Sequence, residues 1–136
     1  MFRCTGALLM PLILAATAGA EPKTVQPDRN WVAVLHDDTL KKMSPKTGLV
    51  TEKKAFEQLW KAWRKDEKVP EIDFKKQFVV VTLAGGPNKP GVTATLDEGN
   101  LKIQARQTLI GGKGFGYSIA VFKREGVKKV NGQELK

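Results

Sequence analysis

The apolar residues of this chain change their rhythm twice. Residues 7–16 (ALLMPLILAA) form a nearly unbroken apolar run. Phe56, Leu59, Trp60 and Trp63 then recur at i, i+3, i+4 and i+7, which makes one stripe on a helix. After Pro70 the spacing shortens to that of strands.

The helical stripe sets two indoles and a phenyl against a core, while Lys54, Lys61, Lys65 and Lys68 fall on the opposite face. Thr51 is the expected cap, and Glu52 places a negative charge in the first turn, where the helix dipole favours it. Pro70 is the expected stop, because its ring disfavours a helical conformation at Val69.

The strand candidates begin with residues 31–36 (WVAVLH), rich in side chains that suit a half-buried pleat. Residues 77–84 (QFVVVTLA) form a continuous apolar run, as expected of a strand covered on both faces. Residues 92–96 alternate, residues 97–100 (DEGN) read as a hairpin turn, and Leu101, Ile103 and Ala105 point inward beyond it. A glycine-rich loop over 110–116 leads into a strand at 117–123, and Asn131-Gly132 marks a last hairpin. This order predicts one α+β domain over 31–136, with a main amphipathic helix packed on a mainly antiparallel sheet of about five strands. Residues 21–30 hold two prolines and no periodicity, and read as a flexible leader.

The amino-terminal run changes the picture of location. Met1 and Arg3 give it a positive end, and Thr17-Ala18-Gly19-Ala20 supplies the small residues of an A-x-A cleavage site. The run is shorter than the ~20 residues that cross a bilayer and contains a proline. It therefore reads as a signal peptide cleaved after Ala20, leaving no transmembrane segment. The protein is expected in the periplasm or the medium of a bacterium. Cys4 is the only cysteine, lies before the apolar run and leaves with it, which excludes lipoprotein anchoring, disulfides and thiolate metal sites.

The formal charge of the whole chain is +9. That excess biases the domain toward anionic partners without choosing among acidic glycans, lipid head groups, wall polymers and nucleic acid. No nucleic acid is expected outside the cytoplasm.

Residues with chemical potential are few. His36-Asp37-Asp38 is the one place where an imidazole meets carboxylates, but neighbours on a strand point to opposite faces and cannot converge on one ion. Ser44 and Ser118 lack the strand-to-helix setting of a nucleophile elbow. Gly112-x-Gly114-x-Gly116 precedes a strand, so it lacks the helix amino end that a phosphate cradle needs. Asp73 fits a turn cap. The pattern implies no catalytic residue, no metal and no cofactor. The candidate contacts are Trp31 at the domain edge, Lys113, Phe115 and Tyr117 in and beside the glycine loop, and Lys54, Lys61, Lys65 and Lys68 on the basic face.

Three stretches carry a family likeness. Phe56-x-x-Leu59-Trp60-x-x-Trp63, then Pro70-x-Ile72-Asp73-Phe74, then the strand over 78–83 resemble the start of the PrcB-like C-terminal domain, a bacterial envelope module. Gly111-Gly112 with Gly116-Tyr117-Ser118-Ile119 is similar to that family's Gly-Gly-Tyr turn, except that Lys113-Gly114-Phe115 is inserted. The ending Arg124-Glu125-Gly126-Val127-x-x-Val130-Asn131-Gly132 resembles small secreted planctomycete-type proteins of unknown function. The likeness implies an α+β fold, an envelope location and a protein-binding role. Three functions fit these features: a non-catalytic protein-interaction module, a basic-surface binder of acidic glycan or cell-wall polymer, and a small hydrolase needing His36 or Asp73 in a pocket.

Overall fold

The computed structural model describes residues 21–136, so the expected signal segment and the expected cleavage at Ala20 lie outside the described residues. In chain order the elements are β1 (Lys23–Val25), β2 (Arg29–Leu35), a 3-10 turn (Asp38–Met43), β3 (Leu49–Val50), α1 (Lys53–Arg64), β4 (Gln77–Gly85), β5 (Gly91–Asp97), β6 (Asn100–Arg106), β7 (Phe115–Lys123), β8 (Lys129–Val130) and β9 (Gln133–Glu134).

The α+β class holds, but the single sheet of about five strands does not. The strands form two sheets, one ordered β2-β7-β4-β3 and the other β1-β5-β6-β8-β9. All pairings are antiparallel except the short parallel contact of β6 with β8. The reason is visible in β4. Val79 and Val81 pack against Phe56, Leu59, Trp60 and Trp63 of α1, whereas Phe78 and Val80 pack against Ala94, Leu101 and Val130 of the second sheet. A strand with two apolar faces needs two covers, and one helix supplies only one. The result is three layers: helix, four-stranded sheet, five-stranded sheet.

The leader reading of residues 21–30 is also corrected. Lys23–Val25 is β1, pairing with residues 94–96 of β5, and β2 already begins at Arg29. Residues 26–28 carry the chain from one sheet to the other.

α1 departs from expectation at both ends. Its N-cap is Glu52, with no side-chain cap bond, so Thr51 does not cap it. It stops at Arg64, before Pro70, because Lys65 takes a positive φ of 41°. The two indoles tie down the segments on either side of the helix. Trp60 Nε1 donates to the Glu67 carbonyl at 3.1 Å, and Trp63 Nε1 to the Leu40 carbonyl at 2.9 Å. Both expected tight hairpins form, with Glu98-Gly99 and Asn131-Gly132 at positive φ.

Candidate functional site

The register of the four-stranded sheet fixes where each candidate residue lies. Arg29, Val121 and Val79 stand near one end, and Leu35, Phe115 and Gly85 at the other. The second end continues into three loops, residues 36–38, 86–90 and 107–114, which form an apex.

Asn88 organises that apex. It is 2% exposed, yet every polar group of its side chain is used. Its Nδ2 donates to the carbonyls of Gly85 at 2.6 Å and Ile110 at 2.9 Å. Its Oδ1 accepts from the Thr108 hydroxyl at 2.8 Å and from the Ile110 N–H at 2.9 Å. A buried primary amide is costly unless it is paired, and this one is paired fully. Gln107 Oε1 accepts a bond from the Gly85 N–H at 3.3 Å, and Asp38 Oδ2 one from the Gly114 N–H at 3.3 Å.

The glycines make this closeness possible. A Cβ on Gly116 would overlap the Asn88 carbonyl, and one on Gly114 (φ +98°) would overlap the Leu35 carbonyl. At Gly114 and Gly116 backbones thus touch, and at Gly112 a Cβ would meet the Pro87 ring. The loop joins β6 in one sheet to β7 in the other, so it is a crossover rather than a hairpin.

On this clamped loop Leu109 is 91% exposed and Ile110 59%. Met43 is the other exposed large hydrophobic side chain among the described residues. Lys113 lies in the same loop, Lys89 in the adjoining one and Arg106 at the end of β6, and all three are exposed.

Several sequence candidates sit elsewhere. Phe115 is not at a loop tip. It opens β7, is fully buried and packs edge-on to Trp63 with 5.5 Å between ring centroids. Tyr117 is also buried, 4.7 Å from Trp63, with its hydroxyl accepting from Arg64 at 3.0 Å. Residues after the loop alternate as a strand does, and odd-numbered ones face the helix. Trp31 is half-buried, meeting Trp60 edge-to-face at 5.0 Å, with the Arg29 guanidinium over its ring. Lys113 is exposed as expected. Lys54, Lys61, Lys65 and Lys68 are all exposed, and none forms an ion pair among the described residues.

Arg64 carries no signal in the sequence pattern, yet it is a hub. Its guanidinium lies 5.0 Å over the Trp60 ring, donates to Glu67 at 2.8 Å and holds the Tyr117 hydroxyl. Burial opposes its charge, but the contacts with Glu67 and Tyr117 outweigh that and raise its pKa further.

His36 and Asp73 do not meet. His36 follows the apical end of β2, while Asp73 precedes β4 at the other end, where its Oδ1 accepts the Lys75 N–H at 3.1 Å. The length of β2, at about 3.3 Å per residue, separates the two ends. Asp37 caps the 3-10 turn through Thr39, whose hydroxyl and N–H lower its pKa. Among the described residues no group of three or more His, Cys, Asp or Glu side chains could hold a metal ion, and no helix is long and apolar enough to cross a membrane.

Asn88 and Leu109-Ile110 escape a reading of the sequence for identifiable reasons. Asn88 stands in Gly-Gly-Pro-Asn-Lys-Pro-Gly, where asparagine reads as an ordinary turn residue. The available signal was Leu109-Ile110 itself, two large aliphatics beside a glycine-rich loop with no strand to bury them. No protein-family model, curated protein or solved structure matches the chain.

Proposed function

We propose that this chain is a secreted bacterial envelope protein that binds a partner protein and performs no catalysis, and that Leu109 and Ile110 make the central contact. The observation behind this reading is the pairing of exposed aliphatics with a locked loop. Binding costs conformational freedom, and a loop already held by Asn88 loses less of it. Exposed aliphatic side chains on a fixed apex, with exposed Arg106, Lys113 and Lys89 in the adjoining segments, suit an apolar contact with polar residues at its margin.

The test is retention of an envelope protein on the immobilised chain, eluted stepwise in salt, beside the variants Leu109→Asp and Ile110→Asp. The expected result is a discrete protein kept beyond ~0.5 M salt, where screening shortens to a few Å, and lost from both variants. Retention unchanged in the variants overturns the assignment of the apex.

A second reading rests on a different observation. Lys54 and Lys61 stand seven residues apart on the exposed side of α1, Lys65 and Lys68 follow its end, and all four are exposed without ion-pair partners among the described residues. Such a flank suits an acidic glycan or wall polymer. Binding of that kind weakens steeply with salt, and the double variant Lys61→Glu/Lys65→Glu abolishes it.

A further inference from the structure

A sheet edge is a row of unpaired N–H and C=O groups, and proteins blunt such edges by shortening the strand, adding charge or proline, or covering it. Three of the four edges here follow that rule. β1, β3 and β9 are edge strands of three, two and two residues. The fourth, β2, has seven residues, and from Asn30 to Leu35 it reads Asn-Trp-Val-Ala-Val-Leu, with no charge and no proline. It pairs only with β7, through an unbroken register. Residues 31–35 are all half-buried, whereas residues 115–122 on the neighbouring strand are all buried. From Asn30 to Leu35 none of these protections is present among the described residues, and Arg29 at the strand start is its one charge.

We propose that β2 pairs antiparallel with β2 of a second copy of this chain, joining two four-stranded sheets into one of eight. The strand is complementary to itself. Trp31, Ala33 and Leu35 pack toward the helix side of the sheet, so Asn30, Val32 and Val34 face the other side. A two-fold axis at Val32 keeps each set on its own side. It sets the large Trp31 beside the small Ala33 of the second copy, and Val32 beside its own equivalent. One pair of charges at the strand ends also matches. One end carries Asp28-Arg29, and the other is followed by His36, Asp37 and Asp38. With Val32 on the axis Arg29 stands opposite the second copy's Leu35, and its diagonal neighbour on the same side of the sheet is the second copy's Asp37. An unrelated extended peptide would need this same charge order, whereas a second copy has it by symmetry.

The experiment is sedimentation equilibrium of the purified protein across micromolar concentrations in about 0.15 M salt, with Val32→Lys and Val32→Glu variants. In the two-fold register each variant places like charges directly opposite, which destabilises strand pairing. The native protein is expected to dimerise, and each variant to dissociate with a constant raised by about tenfold or more. An equimolar mixture of the two variants is expected to recover the dimer, which a variant that merely misfolded would not do. As an independent readout, Val32→Cys forms a disulfide-linked dimer under mild oxidation and Val34→Cys does not. A native protein that stays monomeric, or a dimer indifferent to both charge variants, overturns the proposal. So does a monomer whose β2 captures some other protein's strand.

Discussion

The side chain of Asn88 and the backbone of Ile110 exchange two hydrogen bonds, each 2.9 Å long, in the manner of two facing strand residues. The amide stands in for a strand where no strand can run, because the sheet has already ended at Gly85.

Replacing Asn88 by Ala removes that substitute and leaves the Ile110 N–H and the carbonyls of Gly85 and Ile110 without it. Each lost hydrogen bond costs about 0.5–1.5 kcal/mol where water can replace the partner, so a loss of roughly 1–3 kcal/mol is expected in urea unfolding. Asn88→Asp should also lose stability, since a carboxylate cannot donate to the two carbonyls. Trypsin cleavage at Arg106 and Lys113 is expected to accelerate in both variants.

The glycines of the apex should separate sharply by position. Gly116→Ala drives a methyl into the Asn88 carbonyl, and backbone on backbone has little room to yield. A loss of more than ~4 kcal/mol, or failure to fold, is expected. Gly111 has open space around its missing Cβ and no positive φ. Gly111→Ala should be neutral or stabilising by about 0.4–1 kcal/mol through the unfolded chain. Thermal unfolding of the two variants checks the contrast.

Much of this architecture was legible in residue spacing. The stripe from Phe56 to Trp63, the double-faced run that became β4 and the Glu98-Gly99 and Asn131-Gly132 turns all announce themselves locally. Two things did not. The number of sheets depends on which strands meet, and β1 finds its partner some seventy residues away, beyond any local pattern. The burial of Phe115 depends on register: flanked by Gly114 and Gly116 it looks like a loop tip, but opposite Leu35 and Gly85 it is a core residue.

Asp37 gives the fold a mild sensitivity to acid. Hydrogen bonds from the Thr39 hydroxyl, and then from its N–H, hold the carboxyl below its ordinary value of 3.8. A lowered folded-state value means that the ionised form favours the native state. That contribution is complete above 3.8 and fades as pH falls through the lowered value. A carbon-detected NMR titration should find the Asp37 midpoint under 3.8, and Thr39→Val should move it upward.

Glu98 occupies a left-handed position, φ 49°, in the turn between β5 and β6. Asparagine tolerates that conformation better than glutamate. Glu98→Asn is expected to raise stability by a few tenths of a kcal/mol to about 1, visible as a higher urea midpoint with an unchanged slope.

The central place of β7 has a consequence for the order in which the fold can assemble. Synthesis delivers the chain from its amino end, and β7 is the last long strand to emerge. Until residues 115–123 arrive, β2 has no partner in its sheet and β4 has only the two-residue β3. Two apolar strands must therefore wait, separated along the chain by α1, for a third that inserts between them. Such late, non-local pairing folds slowly and leaves strand edges open to neighbouring chains. A nascent chain stalled before Phe115 would have its helix with only the β3–β4 pair to lay it on, so the helix-covered sheet is completed only when its central strand arrives.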